Sequence, residues 1–182
     1  MKETGKKVYF TSDFHYGHRN ILLYCNRPFD SISQMNTQLI KNYNSIVEHD
    51  AIVYILGDFS FLNTESTKQI LKAMKGFKYL IKGNHDRKPN SYYRELGFRE
   101  VYNKPILYGD KYILSHEPID ENLLNGSKLI NIFGHVHERG PSQTKNSYCV
   151  CLEKHDYKPV SLSQIEEQVR KYKRDTQPPI WW

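Results

Sequence analysis

The chain has 182 residues, enough for one domain with a sizeable core, and its 38% hydrophobic and 25% charged residues are ordinary for a globular protein. No apolar run approaches the roughly 20 residues that cross a bilayer, and the polar start MKETGKK lacks the apolar region of a secretory signal. We therefore expect a cytoplasmic protein with no membrane association. The net charge of +6 favours anionic partners, such as phosphate esters and nucleic acid.

Strands and helices alternate in the first half of the chain. Continuous apolar runs predict strands over residues 7–12, 51–56 and 77–81. Helical periodicity and end signals predict helices over residues 20–24, 31–47, 64–74 and 91–96. Ser31 and Gln34 form a capping-box pattern at the start of the second helix. This alternation is typical of a sheet whose strands are connected by helices.

Hairpin-like strands replace this alternation in the second half. Strands are predicted over residues 105–108, 111–115, 129–133 and 147–152, with Gly109-Asp110 as a turn between the first two. Cys149 and Cys151 lie two apart on the last strand and are interpreted as small apolar residues of a core face. The two halves together predict an α/β fold, a pair of mixed sheets flanked by helices.

The end of the chain is predicted to be helical and then irregular. The last helix starts at Ser161, paired with Gln164, or at Ser163, paired with Glu166, and runs to about residue 173. Residues 175–182, which include two tryptophans, are predicted to form a tail. No repeat or linker divides the chain, so one domain over residues 1–182 is expected.

Five short polar segments contain most of the residues that could bind metal, and nearly all of them follow a predicted strand. They are Asp13-Phe14-His15, Gly57-Asp58, Gly83-Asn84-His85-Asp86, Ser115-His116 and Gly134-His135-Val136-His137. A rigid sheet fixes where each strand end points, so polar side chains there can converge on one site. Carboxylate, imidazole and amide ligands suit divalent manganese, iron, nickel or zinc. The combination predicts a site for two metal ions.

Spacing within these segments suggests how the side chains converge. Asp13 and His15 are two apart, as are His135 and His137, so on extended backbone both members of each pair would point the same way. Gly57 is expected to leave room for the carboxylate of Asp58 to bridge two ions.

In this order, the segments resemble the calcineurin-like metallophosphoesterase superfamily, from about Val8 to His137. The stretch Ser12-Asp13-Phe14-His15-Tyr16-Gly17-His18 and a later Asp156-Tyr157-x-Pro159 segment are similar to its small, cap-less bacterial and phage branch. The resemblance implies a four-layer α/β/β/α sandwich of two mixed sheets flanked by helices. It also implies two divalent metal ions, with manganese favoured over iron, nickel or zinc.

The resemblance further implies a role for each motif residue. One ion would be bound by Asp13, His15, Asp58 and His137, and the other by Asp58, Asn84, His116 and His135. A hydroxide shared by the ions would attack phosphorus in line. His85 would protonate the leaving-group oxygen or stabilise charge there. Asp86 could orient His85, and its alternative role is to cap a turn.

Other residues near the motifs are candidate substrate contacts. His18 could touch phosphate, or it could form a hydrogen bond to the backbone of its loop. Arg19 and Arg87 could steer a phosphate, or they could be ordinary surface charge. Tyr16 and Tyr24 follow the first metal segment, so a base could stack on either.

Three functions from different classes are compatible with these residues. They are hydrolysis of phosphodiesters or nucleotides, hydrolysis of phosphomonoesters, and metal-dependent protein binding without catalysis. Protein phosphatases of this superfamily usually carry Gly-Asp-x-x-Asp-Arg-Gly and Gly-Asn-His-Glu, whereas here Phe59-Ser60-Phe61-Leu62 follows Asp58 and the second segment ends in Asp86. The complete ligand set and His85 count against a non-catalytic scaffold. The basic charge favours a nucleotide or nucleic-acid substrate.

Overall fold

The computed structural model describes residues 5–176, and nine strands form two sheets within this range. In chain order the strands are β1 (Val8–Thr11), β2 (Ile52–Ile55), β3 (Phe77–Ile81), β4 (Glu100–Tyr102), β5 (Ile106–Tyr108), β6 (Tyr112–Leu114), β7 (Ile130–Phe133), β8 (Ser147–Cys149) and β9 (Val160–Ser161). The first sheet has the order β4-β3-β2-β1-β9, and the second has the order β5-β6-β7-β8. Each sheet is mixed, because β9 runs antiparallel to β1 and β5 runs antiparallel to β6 while the other pairs are parallel.

Six α-helices lie in the same described range. They are α1 (Ile21–Tyr24), α2 (Ile32–Ile46), α3 (Thr64–Ala73), α4 (Asn90–Leu96), α5 (Glu121–Leu124) and α6 (Leu162–Asp175). None of these helices is long and apolar enough to cross a membrane. The cytoplasmic location stays a prediction.

Two hydrophobic clusters hold the layers together. One contains the buried faces of α2, α3 and α4, including Met35 and Leu71, packed on Val53 and Leu80 of the first sheet. The other lies between the sheets and includes Phe10 and Leu56 on one side and Leu114 and Ile132 on the other. Burying each such side chain contributes roughly 1.5–3 kcal/mol. The predicted sandwich of two mixed sheets flanked by helices is confirmed.

The parallel strands explain why the polar segments meet. β1, β2 and β3 end at one edge of the first sheet, and β6 and β7 end at one edge of the second. A bridge between Ser12 and Cys151 brings these two edges together. The main-chain N–H of His135 also donates to Asp13 Oδ2 at 2.8 Å, which ties the second sheet to the first.

Several short elements differ from the prediction. β4, β9 and α5 were not predicted, since each has only two to four residues and depends on tertiary pairing or packing rather than on a local pattern. The strand predicted over 147–152 ends at Cys149, and a 3₁₀ turn follows over Leu152–Lys154. Asp175, predicted to begin the tail, is instead the last residue of α6, and residues 177–182 lie outside the described range.

The structure also decides between the two predicted caps of α6. The Ser161 hydroxyl accepts from the Gln164 N–H, and the Gln164 side chain accepts from the Ser161 N–H, which completes a capping box. Ser163 is exposed inside the first turn.

Replacing Ser161 should therefore destabilise the fold, and replacing Ser163 should not. We expect Ser161→Ala to lower the free energy of unfolding by about 1 kcal/mol, because one main-chain N–H loses its acceptor. Urea unfolding of chelator-treated protein measures this change. Ser163→Ala is the matched control, and an equal loss in both variants would contradict the cap assignment.

Candidate metal centre

All seven predicted ligands converge on one depression at the meeting edges of the sheets. Four of them form a buried floor, namely Asp13, His15, Asp58 and His116. The others reach the rim, where Asn84 and His135 are exposed and His137 is half-buried. The centre is therefore anchored in the core and open to solvent on one side.

One group of donor atoms surrounds the space beside Asp13. His15 Nε2 lies 3.8 Å from Asp13 Oδ1 and 3.6 Å from Asp58 Oδ2, and His137 Nε2 lies 3.9 Å from Asp13 Oδ1. Ligands held at about 2.1 Å from one ion are separated by distances only slightly shorter than these. Asp13, His15 and His137 therefore have the spacing of a divalent metal site.

A second group surrounds His116 Nε2. This atom lies 2.8 Å from Asn84 Oδ1, 3.1 Å from His135 Nδ1 and 3.5 Å from Asp58 Oδ2. The other ring nitrogen, Nδ1, lies 2.8 Å from the Leu56 carbonyl oxygen and so carries the proton. Nε2 is then an acceptor and cannot donate to the Asn84 oxygen. A bound cation would satisfy the electron pairs of both atoms.

Unpartnered buried atoms test whether these residues fit metal ions. Within residues 5–176, Asp13 Oδ1 and both ring nitrogens of His15 are buried without a hydrogen-bond partner. Such an atom costs roughly 1–3 kcal/mol unless something compensates it. Coordination of a metal ion would satisfy Asp13 Oδ1 and His15 Nε2, so the side chains present here are suited to bind a divalent metal ion.

The ionisation of Asp13 and His15 suits metal binding. Burial raises the pKa of Asp13, but His15, His137 and His116 outweigh this effect and hold the pKa below its usual range. Burial lowers the pKa of His15, which favours the neutral imidazole. An ionised carboxylate and a neutral imidazole are the forms that bind a divalent cation.

The backbone at five of the seven residues is left-handed, which corrects one prediction. Asp13, His15, Asp58, His135 and His137 have φ of 59°, 51°, 54°, 71° and 53°. The prediction that Asp13 and His15, and likewise His135 and His137, point the same way because they lie on extended backbone is therefore wrong about the cause. Residues other than glycine adopt this conformation at a cost of about 1–3 kcal/mol each, and they do so mostly at functional sites.

Two glycines allow the segments to approach closely. A Cβ at Gly83 would lie 2.2 Å from Asp58 Oδ1, so Gly83, rather than Gly57, provides the room for this carboxylate. A Cβ at Gly57 would lie 2.4 Å from His116 Nδ1, and Gly57 also has φ of 90°. A side chain at either position would therefore collide with the neighbouring segment, so both positions require glycine.

The family model described as calcineurin-like phosphoesterase matches residues 6–182. The chain belongs to this family. It is a metal-dependent phosphoesterase; the family implies divalent metal ions, and the structure contains candidate ligand groups for them. The predicted resemblance is thereby confirmed for the family.

Relatives of this phosphoesterase include proteins of similar size. An uncharacterized protein of Methanocaldococcus jannaschii is 35% identical over 176 residues, which are 92% of this chain and 94% of that protein. The gene 66 protein of Mycobacterium phage L5 is 38% identical over 85 residues, 43% of this chain and 39% of that protein. A solved protein of unknown function from Aquifex aeolicus has a TM-score of 0.71 and 26% identity, covering 90% of this chain and 99% of that one.

A buried ion pair that sequence reasoning missed supports the phosphoesterase centre. Glu153 Oε1 lies 2.8 Å from His137 Nδ1 and 2.7 Å from Arg27 Nη2. Arg27 also donates to the main-chain oxygens of Asp13 at 2.6 Å and Phe14 at 2.9 Å. Because Glu153 accepts from Nδ1, the His137 ring presents Nε2 to Asp13. Glu153 is 126 residues from Arg27, so no local pattern could reveal the pair.

Cys151 is a second residue that the sequence did not single out. Cys149 and Cys151 are buried as predicted, with Phe133 in a small cluster on which Val136 packs. Cys151 Sγ also lies 3.3 Å from Asp13 Oδ2 and donates to it. This thiol and the His135 N–H satisfy one oxygen of Asp13, which leaves the other oxygen to face the metal-binding space.

Within the described residues, the Asp86 carboxylate forms hydrogen bonds with main-chain N–H groups and none with the ring of His85, which corrects its predicted orienting role. This carboxylate accepts from three main-chain N–H groups, those of Asp58 at 2.7 Å, Gly83 at 3.0 Å and Phe59 at 3.3 Å. Burial raises the pKa of Asp86 to about 6, and the nearby Asp58 adds to this rise. Asp86 thus ties the segment after β3 to the segment after β2, which is the turn-capping alternative.

His85 stands at the solvent side of the centre. Its main-chain N–H donates to Asp58 Oδ1 at 2.9 Å, and its ring Nε2 lies 4.0 Å from Asp58 Oδ2. The side chain is 37% exposed, so it can meet a substrate from above.

The residues predicted to contact the substrate differ in their exposure and in their position relative to the centre. His18 lies beside the centre, and its buried Nδ1 has no partner in the described part of the chain, so the predicted hydrogen bond to its loop is not formed by this atom. Arg19 is exposed, and Arg87 is exposed with its Nε bonded to the Asn84 carbonyl at 3.2 Å. Tyr16 is fully buried, which excludes the predicted base stacking there, whereas Tyr24 is exposed.

Loss of the Glu153 carboxylate should weaken metal binding without unfolding the protein. We expect Glu153→Gln to reduce affinity for Mn²⁺ by roughly 10–100-fold, because His137 loses the partner that orients it. Competition with a chromophoric chelator measures this affinity. Glu167→Gln, on the exposed face of α6, is the matched control. Unchanged affinity in Glu153→Gln would contradict the positioning role.

Proposed function

We propose that this phosphoesterase hydrolyses phosphodiesters or nucleotides at a centre for two metal ions. The proposed ligands form two groups that share one residue, with Asp13, His15, Asp58 and His137 in the first and Asp58, Asn84, His116 and His135 in the second. The position of Asp58 is the main support for this proposal. Its Oδ2 lies 3.6 Å from His15 Nε2 and 3.5 Å from His116 Nε2, so one carboxylate oxygen faces both groups.

The residues of the chain have separate tasks in the proposed reaction. When bound, two divalent ions, with manganese proposed ahead of iron, nickel or zinc, supply an activated water near neutral pH and offset the charge of the phosphate. The carboxylates of Asp13 and Asp58 lie in the floor with His15 and His116, while Asn84, His135 and His137 complete the two groups at the rim. His85 Nε2, exposed above Asp58, donates a proton to the leaving-group oxygen.

The surroundings of the centre favour an extended anionic substrate. A cavity of about 300 Å³ adjoins Asn84 and His116 and is also lined by Lys82, Lys104 and Glu117. The Lys82 ammonium donates to the Lys88 carbonyl at 2.7 Å, so Lys104 is the cationic side chain of this cavity that is proposed to bind phosphate. Cationic side chains beside a phosphate-hydrolysing centre can hold a neighbouring phosphate group. A diester of a nucleotide or nucleic acid supplies such a group, and a small monoester does not. His18, Arg19 and Arg87 are proposed as further phosphate contacts at the rim.

Replacement of the shared carboxylate tests the ligand set. We expect chelator-treated protein supplied with Mn²⁺ to cleave bis-p-nitrophenyl phosphate faster than p-nitrophenyl phosphate. Asp58→Asn should lower kcat/KM by more than the roughly 10–100-fold typical of indirect partners of a metal. Asp50→Asn, an exposed site, is the control. Activity of Asp58→Asn within a few-fold of wild type would refute the ligand set, and a monoester preference would refute the diester assignment.

Removal of His85 tests the proton donor separately. We expect His85→Ala to keep its metal ions and to lose about 10²–10⁴-fold in kcat, with the larger losses for poor leaving groups, since these need protonation most. A series of aryl phosphodiesters of rising phenol pKa measures this dependence, with His49→Ala as the exposed control. Equal losses across the series would show that His85 does not protonate the leaving group.

A further inference from the structure

We propose that the ring of Phe61 forms a stacking surface for a nucleobase of the substrate, an inference that rests on the proposed function and narrows it to nucleotides and nucleic acid. Phe61 lies in the loop between β2 and α3 and is 43% exposed. Its ring centroid is 5.1 Å from that of His85, the proposed proton donor. A ring at this position lies beside the leaving group.

Imidazole rings cover part of the Phe61 ring and leave the rest exposed. His18 stacks on Phe61 with a centroid distance of 4.4 Å and an interplanar angle of 17°, and His15 lies 5.4 Å away at the same angle. The centroids of these two imidazoles are only 5.5 Å apart, so both lie toward the same side of the phenyl ring. His85 approaches the same ring at 5.1 Å with an interplanar angle of 50°. Phe61 nevertheless remains 43% exposed, and a second flat ring can stack on this exposed part.

The loop holds Phe61 in place before any substrate arrives. The Phe61 N–H donates to the Tyr16 carbonyl at 2.8 Å. The neighbouring Ser60 hydroxyl lies 2.9 Å from the Thr67 hydroxyl and accepts from the Leu62 N–H at 3.1 Å. A side chain on a fixed backbone binds a ligand with less loss of conformational entropy than one on a loose loop.

Position distinguishes Phe61 from the other exposed apolar side chains. Single exposed apolar residues are common, and Leu107 on β5 and Leu123 on α5 are two that contact no part of the centre in the described residues. Phe61 instead contacts three imidazoles of the centre. Tyr24, 6.2 Å from His18, extends the aromatic surface outward. A phosphate above Asp58 and a base on Phe61 would match the two parts of one nucleotide.

A nucleobase is the occupant that fits best. Stacking on an aromatic side chain favours any base, because every base has a flat π-surface. The net charge of +6 and Lys104 of the adjoining cavity favour a ligand that also carries phosphate. The phosphate of an alkyl or sugar ester could make the same phosphate contacts, but such an ester has no flat base to cover the exposed part of the Phe61 ring.

Binding of two phosphates that differ only in the base tests this inference without requiring turnover. We expect Mn²⁺-loaded wild-type protein to bind AMP about tenfold more tightly than ribose 5-phosphate in isothermal titration calorimetry. Phe61→Leu keeps an apolar side chain and should reduce this ratio to about one, whereas Phe61→Trp should preserve it. Leu107→Ala is the control for an exposed apolar residue away from the centre and should keep the wild-type ratio.

The possible outcomes separate the inference from the proposed function. Equal affinity of wild-type protein for AMP and ribose 5-phosphate, or a preference for AMP that survives in Phe61→Leu, would overturn the stacking surface. So would an equal loss of both affinities in Phe61→Leu, since that pattern means that Phe61 only supports His15. A preference for AMP that depends on Phe61, in protein that cleaves no phosphodiester, would uphold the binding site and refute the proposed reaction.

Discussion

Two buried carboxylates, those of Asp13 and Asp58, occupy the same small region between the ends of the two sheets, and their charge must be compensated for the chain to fold around them. Taking such groups out of water without compensation would cost far more than the net stability of a domain. The His135 N–H and the Cys151 thiol donate to one oxygen of Asp13, and the His85 N–H donates to one oxygen of Asp58. Imidazoles surround the other oxygen of each carboxylate. Much of the surrounding structure therefore provides hydrogen-bond donors and imidazoles that compensate the charge of these two carboxylates.

The backbone around the carboxylates is strained and is held by rigid neighbours. The five left-handed residues lie two to four positions after the ends of β1, β2 and β7, where ladder hydrogen bonds no longer constrain them. The Asp13 N–H donates to the Gly57 carbonyl at 3.1 Å, and the His15 N–H donates to the Asp58 carbonyl at 3.0 Å. Asp86 fastens the third segment to the second. The strain is therefore offset by the sheets and by hydrogen bonds between segments, and it aims the side chains at shared points.

The types of side chain differ on the two sides of the centre. Phe61, His18 and Tyr24 form an aromatic rim near the first group of donor atoms. Lys104 lines the cavity that adjoins the second group, together with Lys82, whose ammonium donates to the Lys88 carbonyl. A phosphate held between the groups would thus have an aromatic neighbour on one side and cationic neighbours on the other. The proposed nucleotide substrate has the same division, with a flat base at one end and anionic phosphate at the other.

Apolar runs and strand-end motifs in the sequence predicted the sandwich and most of its strands, and they also supplied the residues that are proposed as metal ligands. An apolar run followed by glycine and a polar residue is a local pattern, so Asp58, Asn84 and His135 could be placed at strand ends before any contact was known. Only the tertiary structure revealed Arg27, Glu153, Cys151 and Phe61, because their partners are distant in the chain or depend on the packing of loops. It also changed the role of Asp86 and showed that left-handed backbone, not strand alternation, turns Asp13 and His15 together. Local sequence patterns specify elements and residue types, whereas orientation within a site depends on contacts between segments that only folding brings together.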